Sequence, residues 1–186
     1  MFLPYWAWRN ARHFWIFMKY IVRIFPQLTH LQFPIPLSSE RKQNQLMKIT
    51  GVIAEYNPFH NGHRYHLEQT RAISGADYII AVISGDFMQR GVPALIHKYA
   101  RTEMALQNGA DLVLELPAVY AAGSAEFFAM GAVSLLDRLG SVDSLCFGSE
   151  CGSLKPLSRI ASVLLEEPEE YRSALQKELK KGHSFP

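Results

Sequence analysis

The sequence has few cysteines: only Cys146 and Cys151 occur among its 186 residues. Two thiols are too few for a disulfide framework or a cysteine metal site, and this usage is typical of proteins in a reducing cytosol. We therefore expect a cytoplasmic protein in which both thiols are ordinary core or loop side chains.

The sequence also lacks a hydrophobic run long enough to cross a bilayer. Its most apolar region, close to the first residue, is interrupted by Lys19 and Arg23. No apolar core followed by a small-residue cleavage site occurs there, so the region is a poor signal peptide. These absences predict a protein with no membrane partner.

Several catalytic signatures are missing as well. No glycine loop ends in Gly-Lys-Ser or Gly-Lys-Thr, the pattern Gly-x-Gly-x-x-Gly does not occur, and no serine lies in a nucleophile elbow. The sequence therefore argues against a P-loop, a dinucleotide-binding fingerprint and a serine-hydrolase triad.

What is present divides into two compositions that meet near Met47. Residues 1–46 hold six Lys and Arg against one Asp or Glu, a net charge of +5, whereas residues 47–186 hold thirteen against sixteen, a net charge of −3. We interpret residues 1–46 as an N-terminal extension outside the folded domain and Met47 as a natural start. The alternative is an amphipathic membrane-surface segment. Its apolar residues would be Phe14, Trp15, Phe17, Ile21 and Ile24, and its basic residues Arg9, Arg12, Lys19 and Arg23.

From Met47 onward, strand-like apolar runs alternate with helical patterns. Predicted strands cover 49–54, 78–83, 111–116 and 142–147, and predicted helices cover 62–73, 97–107, 124–139, 153–166 and 168–181. This alternation indicates an α/β domain with a mostly parallel sheet flanked by helices. A further strand would be expected after the last helix, so we expect the domain, residues 47–186, to be incomplete at its C-terminus.

The most informative segment joins the first predicted strand to the next helix. Pro58 forbids continuation of the strand, and Gly62 frees the backbone where the helix begins. His60 and His63 flank Asn61 and Gly62 in the pattern His-x-Gly-His. The first turn of a helix exposes unpaired N–H groups that attract anions. This turn therefore predicts a binding site for nucleotide phosphates.

Two imidazoles beside a helix N-terminus suit adenylyl transfer. That reaction needs donors aimed at an α-phosphate that gains negative charge and at the pyrophosphate that leaves. Tyr56 and Phe59 are interpreted as a wall for the adenine or as apolar loop anchors. A metal triad with His66 is disfavoured, because His60 precedes the helix and only Glu68 lies at helical spacing to complete it. We expect no protein-ligated metal, and Mg²⁺ bound mainly by the nucleotide phosphates.

A second polar loop follows the second predicted strand, at the edge where open α/β sheets bind ligands. Asp86, Gln89 and Arg90 are candidates there for holding a second substrate or phosphates, and the planar fork of Arg90 suits an anion. The alternative is a solvated loop. Lys98 and Arg101 lie one turn apart at the next helix start, and we interpret them as facing RNA or solvent.

Four blocks occur in order along the chain. They are Glu55-Tyr56-Asn57-Pro58-Phe59-His60-Asn61-Gly62-His63 within residues 51–67, Ser84-Gly85-Asp86-Phe87-Met88-Gln89-Arg90-Gly91-x-Pro93-Ala94, Glu103-Met104-Ala105 leading to Asn108-Gly109-Ala110-Asp111-Leu112-Val113-Leu114-Glu115-Leu116-Pro117, and Phe147-Gly148-Ser149-Glu150. Together they resemble the bacterial tRNA(Met) cytidine acetate ligase family, in the nucleotidyltransferase superfamily that carries a His-x-Gly-His signature. The resemblance covers residues 47–186.

The resemblance implies a Rossmann-like nucleotidyltransferase fold and an adenylate-forming ligase. Members of that family activate acetate with ATP as acetyl-adenylate and pass the acetyl group to N4 of the wobble cytidine of elongator tRNA(Met). The implied partners are thus ATP, acetate and that tRNA. His60 and His63 would act on the α-phosphate and the leaving group. The implied nucleotide site comprises Ile53, Ala54, Glu55, Tyr56, Asn57, Pro58, Phe59, His60, Asn61, Gly62, His63, Arg64, Tyr65, His66 and Gly148.

Two departures keep alternatives open. The family pattern has no counterpart of residues 1–46 and continues past Pro186, so this chain would be inactive alone. The net charge of −3 over residues 47–186 gives no electrostatic case for tRNA binding. One alternative is a small-molecule adenylyltransferase or cytidylyltransferase that makes a nucleotide cofactor. The other is an inactive nucleotide- or RNA-binding fragment.

Overall fold

The structure is a computed structural model, and it describes residues 35–36, 47–149 and 153–182. The predicted membrane-surface segment, Glu150 and Cys151 lie outside the described residues. No helix within these ranges is long and apolar enough to span a membrane.

The described strands form one five-stranded sheet, which confirms the predicted α/β class. Its order is β1-β5-β2-β3-β4, in which β5, β2, β3 and β4 run parallel and β1 pairs antiparallel with β5. The strands are β1 Ile35–Pro36, β2 Ile49–Ala54, β3 Tyr78–Ser84, β4 Leu112–Leu116 and β5 Ser144–Leu145.

Helices connect the parallel strands and cover the sheet. They are α1 Asn61–Ser74, α2 Lys98–Gln107, α3 Ala118–Ala121, α4 Ala125–Arg138, α5 Leu154–Glu166 and α6 Glu169–Lys180, with a 3₁₀ turn at Gln89–Gly91. The predicted boundaries agree to within two residues, and neither β1 nor α3 was predicted. A four-residue helix directly after Pro117 is too short to show a hydrophobic period.

The strand predicted over 142–147 is shorter in the structure. Only Ser144 and Leu145 pair with β2, opposite Thr50 and Gly51. The neighbouring residues Val142 and Cys146 are buried in the core without lying in the strand. The apolar run therefore reflected burial, which core packing supplies outside the sheet as well as within it.

The core has two parts, one on each face of the sheet, and β3 contributes to both. Ile80 and Val82 pack into one hydrophobic cluster together with α4 and α5, whereas Ile79, Ala81 and Ile83 pack into the other beneath α1 and α2. Successive side chains of a strand point to opposite faces, so a wholly apolar β3 serves both.

The amino edge of the sheet, where the parallel strands begin, is closed by hydrogen bonds. Asp77 Oδ2 accepts from Lys48 N at 2.7 Å. In the same way, Asp143 accepts from Ile49 N, and Asp111 accepts from Ile79 N. The loops at the opposite, carboxyl edge are longer and carry the His-x-Gly-His turn, the second polar loop and Gly148.

Candidate functional site

The first turn of α1 is capped by two histidines that bond to each other's backbone. His60 is the N-cap, and its Nδ1 accepts from Gly62 N at 3.1 Å. His63 Nδ1 accepts from His60 N at 3.3 Å, which completes a capping box. In the usual capping box a Ser or Thr and a Glu or Gln do this. The pattern His-x-Gly-His therefore has a local structural cause.

Three backbone N–H groups of this turn, those of Gly62, His63 and Arg64, are already bonded, whereas the sequence predicts unpaired groups. His60 O accepts from His63 N at 2.9 Å and from Arg64 N at 3.2 Å, while Gly62 N is held by the imidazole of His60. The helix dipole still favours an anion at this end. The imidazole groups are thus the side-chain donors that a phosphate would meet at this end.

The hydrogen bonds assign the tautomer of both rings. Because Nδ1 accepts in His60 and in His63, each neutral ring carries its proton on Nε2. The rings are stacked, with centroids 3.7 Å apart and planes 21° apart. Burial, and then the nearby His60 and His66, lower the pKa of His63 to about 4. His63 is therefore neutral at pH 7 and offers Nε2–H as a donor.

Tyr56 supports these rings from the protein interior. It is 1% exposed and packs edge-on against His63 and Phe59, at centroid distances of 4.8 and 4.9 Å. Its backbone is left-handed, with φ of 50°, and burial raises the pKa of its phenol. Of the two interpretations given for Tyr56, this placement favours the apolar anchor.

The residues expected to surround the histidines lie on both sides of them. Ile53 and Ala54 end β2, Asn61, Gly62 and Tyr65 are exposed, and Arg64 pairs with Glu68 at 2.9 Å. His66 Nε2 is buried with no hydrogen-bond partner among the described residues, and burial lowers its pKa. Gly148 follows β5, which neighbours β2, so it lies exposed at the same carboxyl edge.

The second polar loop, residues 85–97, is attached to the segment before His60. Gln89 N donates to Glu55 Oε1 at 2.9 Å, and Leu95 N donates to Asn57 Oδ1 at 2.7 Å. Arg90 is exposed on this loop in a left-handed conformation, with φ of 64°. The structure therefore joins the two loops that the sequence predicts to bind ligands. The joining side chains are those of Glu55 and Asn57, which the resemblance assigned to the nucleotide site.

The interpretation of Arg101 as a residue facing RNA or solvent is wrong. Its side chain is 0% exposed and donates to backbone carbonyls of the two loops. Lys98 is held as well, by Glu115 at 2.8 Å and Asp86 at 3.8 Å. Its hydrogen bond to Glu115 raises the pKa of Lys98. The i, i+3 spacing placed both residues on one helix face, but there Arg101 meets backbone carbonyls that need donors, and Lys98 meets two carboxylates.

Arg101 shares the inward face of α2 with a small apolar residue. Ala105 lies one turn after Arg101 and is also 0% exposed, so the two occupy the inward face of α2. Side chains at i and i+4 are neighbours on one helix face. Charge alone had suggested an outward face.

A cavity of 380 Å³ lies elsewhere, between α1 and the turn before β4 at the amino edge. Two of its lining residues, Glu68 and Arg71, are already paired with Arg64 and Asp111. It offers neither a helix N-terminus nor the histidines. We therefore assign the candidate site to the carboxyl edge. Across residues 47–149 and 153–182, no three His, Cys, Asp or Glu side chains converge to hold a metal ion.

Known proteins resemble this chain in sequence and in fold. The family described as HIGH Nucleotidyl Transferase matches residues 47–186. The tRNA(Met) cytidine acetate ligases of Acetivibrio thermocellus and Clostridium kluyveri are 59% and 58% identical over 140 and 139 residues, 75% of this chain and 34% of each relative. A crystal structure of Thermotoga maritima TmcAL bound with alpha-thio ATP is 55% identical, with a TM-score of 0.69, over 75% of this chain and 34% of that one. The chain spans about a third of the length of the relatives it matches.

Proposed function

The chain belongs to the HIGH Nucleotidyl Transferase family, and we propose that it forms the nucleotide-binding domain of a cytoplasmic tRNA(Met) cytidine acetate ligase. In the proposed reaction, ATP activates acetate as acetyl-adenylate. The acetyl group then passes to N4 of the wobble cytidine of elongator tRNA(Met). Support comes from the names of the relatives and from the alpha-thio ATP bound by the Thermotoga maritima protein.

The observation that carries the proposal is the stacked imidazole pair at the N-terminus of α1. Its Nδ1 atoms are used internally, which fixes both protons on Nε2. Nε2–H donors at a helix N-terminus can stabilise phosphate charge without contributing a competing nucleophile. His60 and His63 would therefore bind the α-phosphate and the departing pyrophosphate.

The proposed chemistry proceeds in two displacements. An acetate oxygen attacks the α-phosphorus, the bond from the α-phosphorus to the bridging oxygen breaks, and pyrophosphate leaves with the electron pair. The N4 amine of cytidine next attacks the acetyl carbonyl, loses a proton and expels AMP. The residues around His60 would hold the nucleotide in both steps. Mg²⁺ would arrive with the nucleotide, bound by its phosphates and by water.

The proposal is tested in a chimera, because the chain covers about a third of its relatives. Residues 47–186 replace the matching segment of the Thermotoga maritima protein, and acetate-dependent exchange of labelled pyrophosphate into ATP is measured. We expect exchange with acetate. The double variant His60→Ala, His63→Ala should lower its rate by about 10²-fold or more, since both imidazole donors are lost.

The control is Ser124→Ala, which removes an N-cap from α4 without altering the imidazoles. It should retain exchange, because only a helix cap is lost. Exchange driven by a phosphate ester and not by acetate, or full exchange in the histidine double variant, would contradict the proposal.

A further inference from the structure

The buried guanidinium of Arg101 is bonded to four backbone carbonyls. Nε donates to Ile96 O at 2.8 Å, and Nη1 donates to Glu55 O at 2.7 Å and to Ser84 O at 3.0 Å. Nη2 donates to Gly85 O. A guanidinium has five N–H donors in a rigid plane, so four of the five are used.

These four carbonyls belong to separate parts of the carboxyl edge. Glu55 starts the nucleotide loop, residues 55–60, while Ser84 and Gly85 lie where β3 passes into loop 85–97. Ile96 lies at the far end of that loop. Two further hydrogen bonds, to the side chains of Glu55 and Asn57, join the same loops. Arg101 is thus the shared support of both.

We propose that Arg101 is a positioning residue for the nucleotide site: it holds the nucleotide loop and loop 85–97 at a fixed separation, so that nucleotide binding depends on its guanidinium. This inference rests on the proposed function. It concerns a residue that touches neither imidazole and that sequence reasoning had placed on the surface. Misplacing a binding loop by about 1 Å can cost on the order of 10²-fold in a later chemical step.

Lysine cannot replace arginine in this role. Its ammonium is a single point with three donors. The four carbonyls are instead bonded by three different nitrogens of the planar guanidinium. Arg101→Lys would keep the charge and lose the simultaneous contacts. The variant therefore tests geometry more than charge.

Arg71 provides a matched control. Its guanidinium also makes four hydrogen bonds, to Ala76 O, Asp77 O, Gly109 O and Asp111 Oδ2. These partners lie at the amino edge, away from the nucleotide loop. Arg71→Lys should lose stability without changing the nucleotide site.

The test measures MgATP binding by calorimetry and stability by urea unfolding in the full chain and in both variants. We expect both variants to be less stable than the unmodified chain and only Arg101→Lys to weaken MgATP binding, by about tenfold. If both variants weaken MgATP binding equally, or if neither does, the role of Arg101 is overturned and the proposed function is unaffected. An unmodified chain that binds no MgATP would overturn the proposed function together with this inference.

A measurement on the unmodified chain keeps the inference testable where Arg101→Lys does not fold. Amide hydrogen exchange is followed at Gln89 and Leu95, whose N–H groups bond to the nucleotide loop. If the two loops are held as one unit, MgATP should slow exchange at both amides by about threefold or more. Unchanged exchange at saturating MgATP would overturn the inference.

Discussion

At the scale of single residues, the two histidines combine a structural and a chemical role. In each ring, Nδ1 accepts a hydrogen bond from a backbone N–H of the same turn, and Nε2 is the donor. Substitution would therefore change both the helix start and the chemistry. Side chains that retain an acceptor at the Nδ1 position can separate the two effects.

The first residue-scale prediction concerns pH. The pKa of His63 is lowered to about 4 in the folded chain, below its ordinary value of 6.5, so protonation favours the unfolded chain. The stability that it contributes is fully present above pH 6.5 and is lost as pH falls from 6.5 to about 4. His66 acts in the same direction. Urea unfolding at pH 7.5 and 4.5 should show this loss.

The variant His63→Asn identifies the group responsible. Asparagine does not titrate and can still accept from His60 N, so the loss of stability between pH 7.5 and 4.5 should shrink by on the order of 1–2 kcal/mol, allowing for solvent screening. A variant whose stability falls as steeply as that of the unmodified chain would assign the pH dependence to other groups.

The second residue-scale prediction concerns Gly148. A Cβ at this position meets no heavy atom within 4 Å, so Gly148→Ala should change stability by less than about 0.5 kcal/mol. If the nucleotide approaches the backbone there, as the resemblance implies, the methyl group should weaken MgATP binding by about threefold or more. Calorimetry with unchanged affinity would remove Gly148 from the site.

At the scale of elements, the sequence predicts most strands and helices because their periodicity is local. Gly75 marks the end of α1 in a left-handed conformation, with φ of 63°, as its position in the sequence indicates. The exceptions depend on tertiary contacts. The short β5 is limited to the two residues that β2 pairs with, and the inward face of α2 is set by carbonyls from distant loops.

The element-scale prediction concerns the packing of α4 against α3. A Cβ at Gly131 would lie 2.4 Å from Cγ of Tyr120, so Gly131→Ala must displace that ring. We expect a loss of about 1–3 kcal/mol in the free energy of unfolding, measured with urea. Gly148→Ala is the control, since it makes the same chemical change in open space. Equal stability of both variants would contradict the packing described.

At the scale of the whole molecule, the fold class and the edge of the sheet that carries the polar loops were predictable, whereas the joining of two of these loops was not. Alternation of strands and helices places polar loops at one edge whatever their contacts. Which of Glu55, Asn57 and Arg101 meets the ligand and which supports it depends on side chains that lie up to 46 residues apart in sequence. No local pattern encodes that distinction.

The whole-molecule prediction concerns residues 1–46. Within that segment only β1 is described, and it contributes two residues of pairing to β5. A chain that starts at Met47 should therefore unfold within about 4 °C of the full chain, as followed by circular dichroism. A much larger decrease in the unfolding temperature, or insolubility, would show that the segment belongs to the folded domain.

The aspartates at the strand starts make the two edges of the sheet chemically different. Asp77, Asp111 and Asp143 accept hydrogen bonds from backbone N–H groups at the amino edge, opposite the proposed nucleotide site. A fluorophore attached at the exposed Gln107, beside the amino edge, should report unfolding and leave ligand affinity unchanged. Substitutions at the amino edge should therefore change stability, and substitutions at the carboxyl edge should change ligand binding.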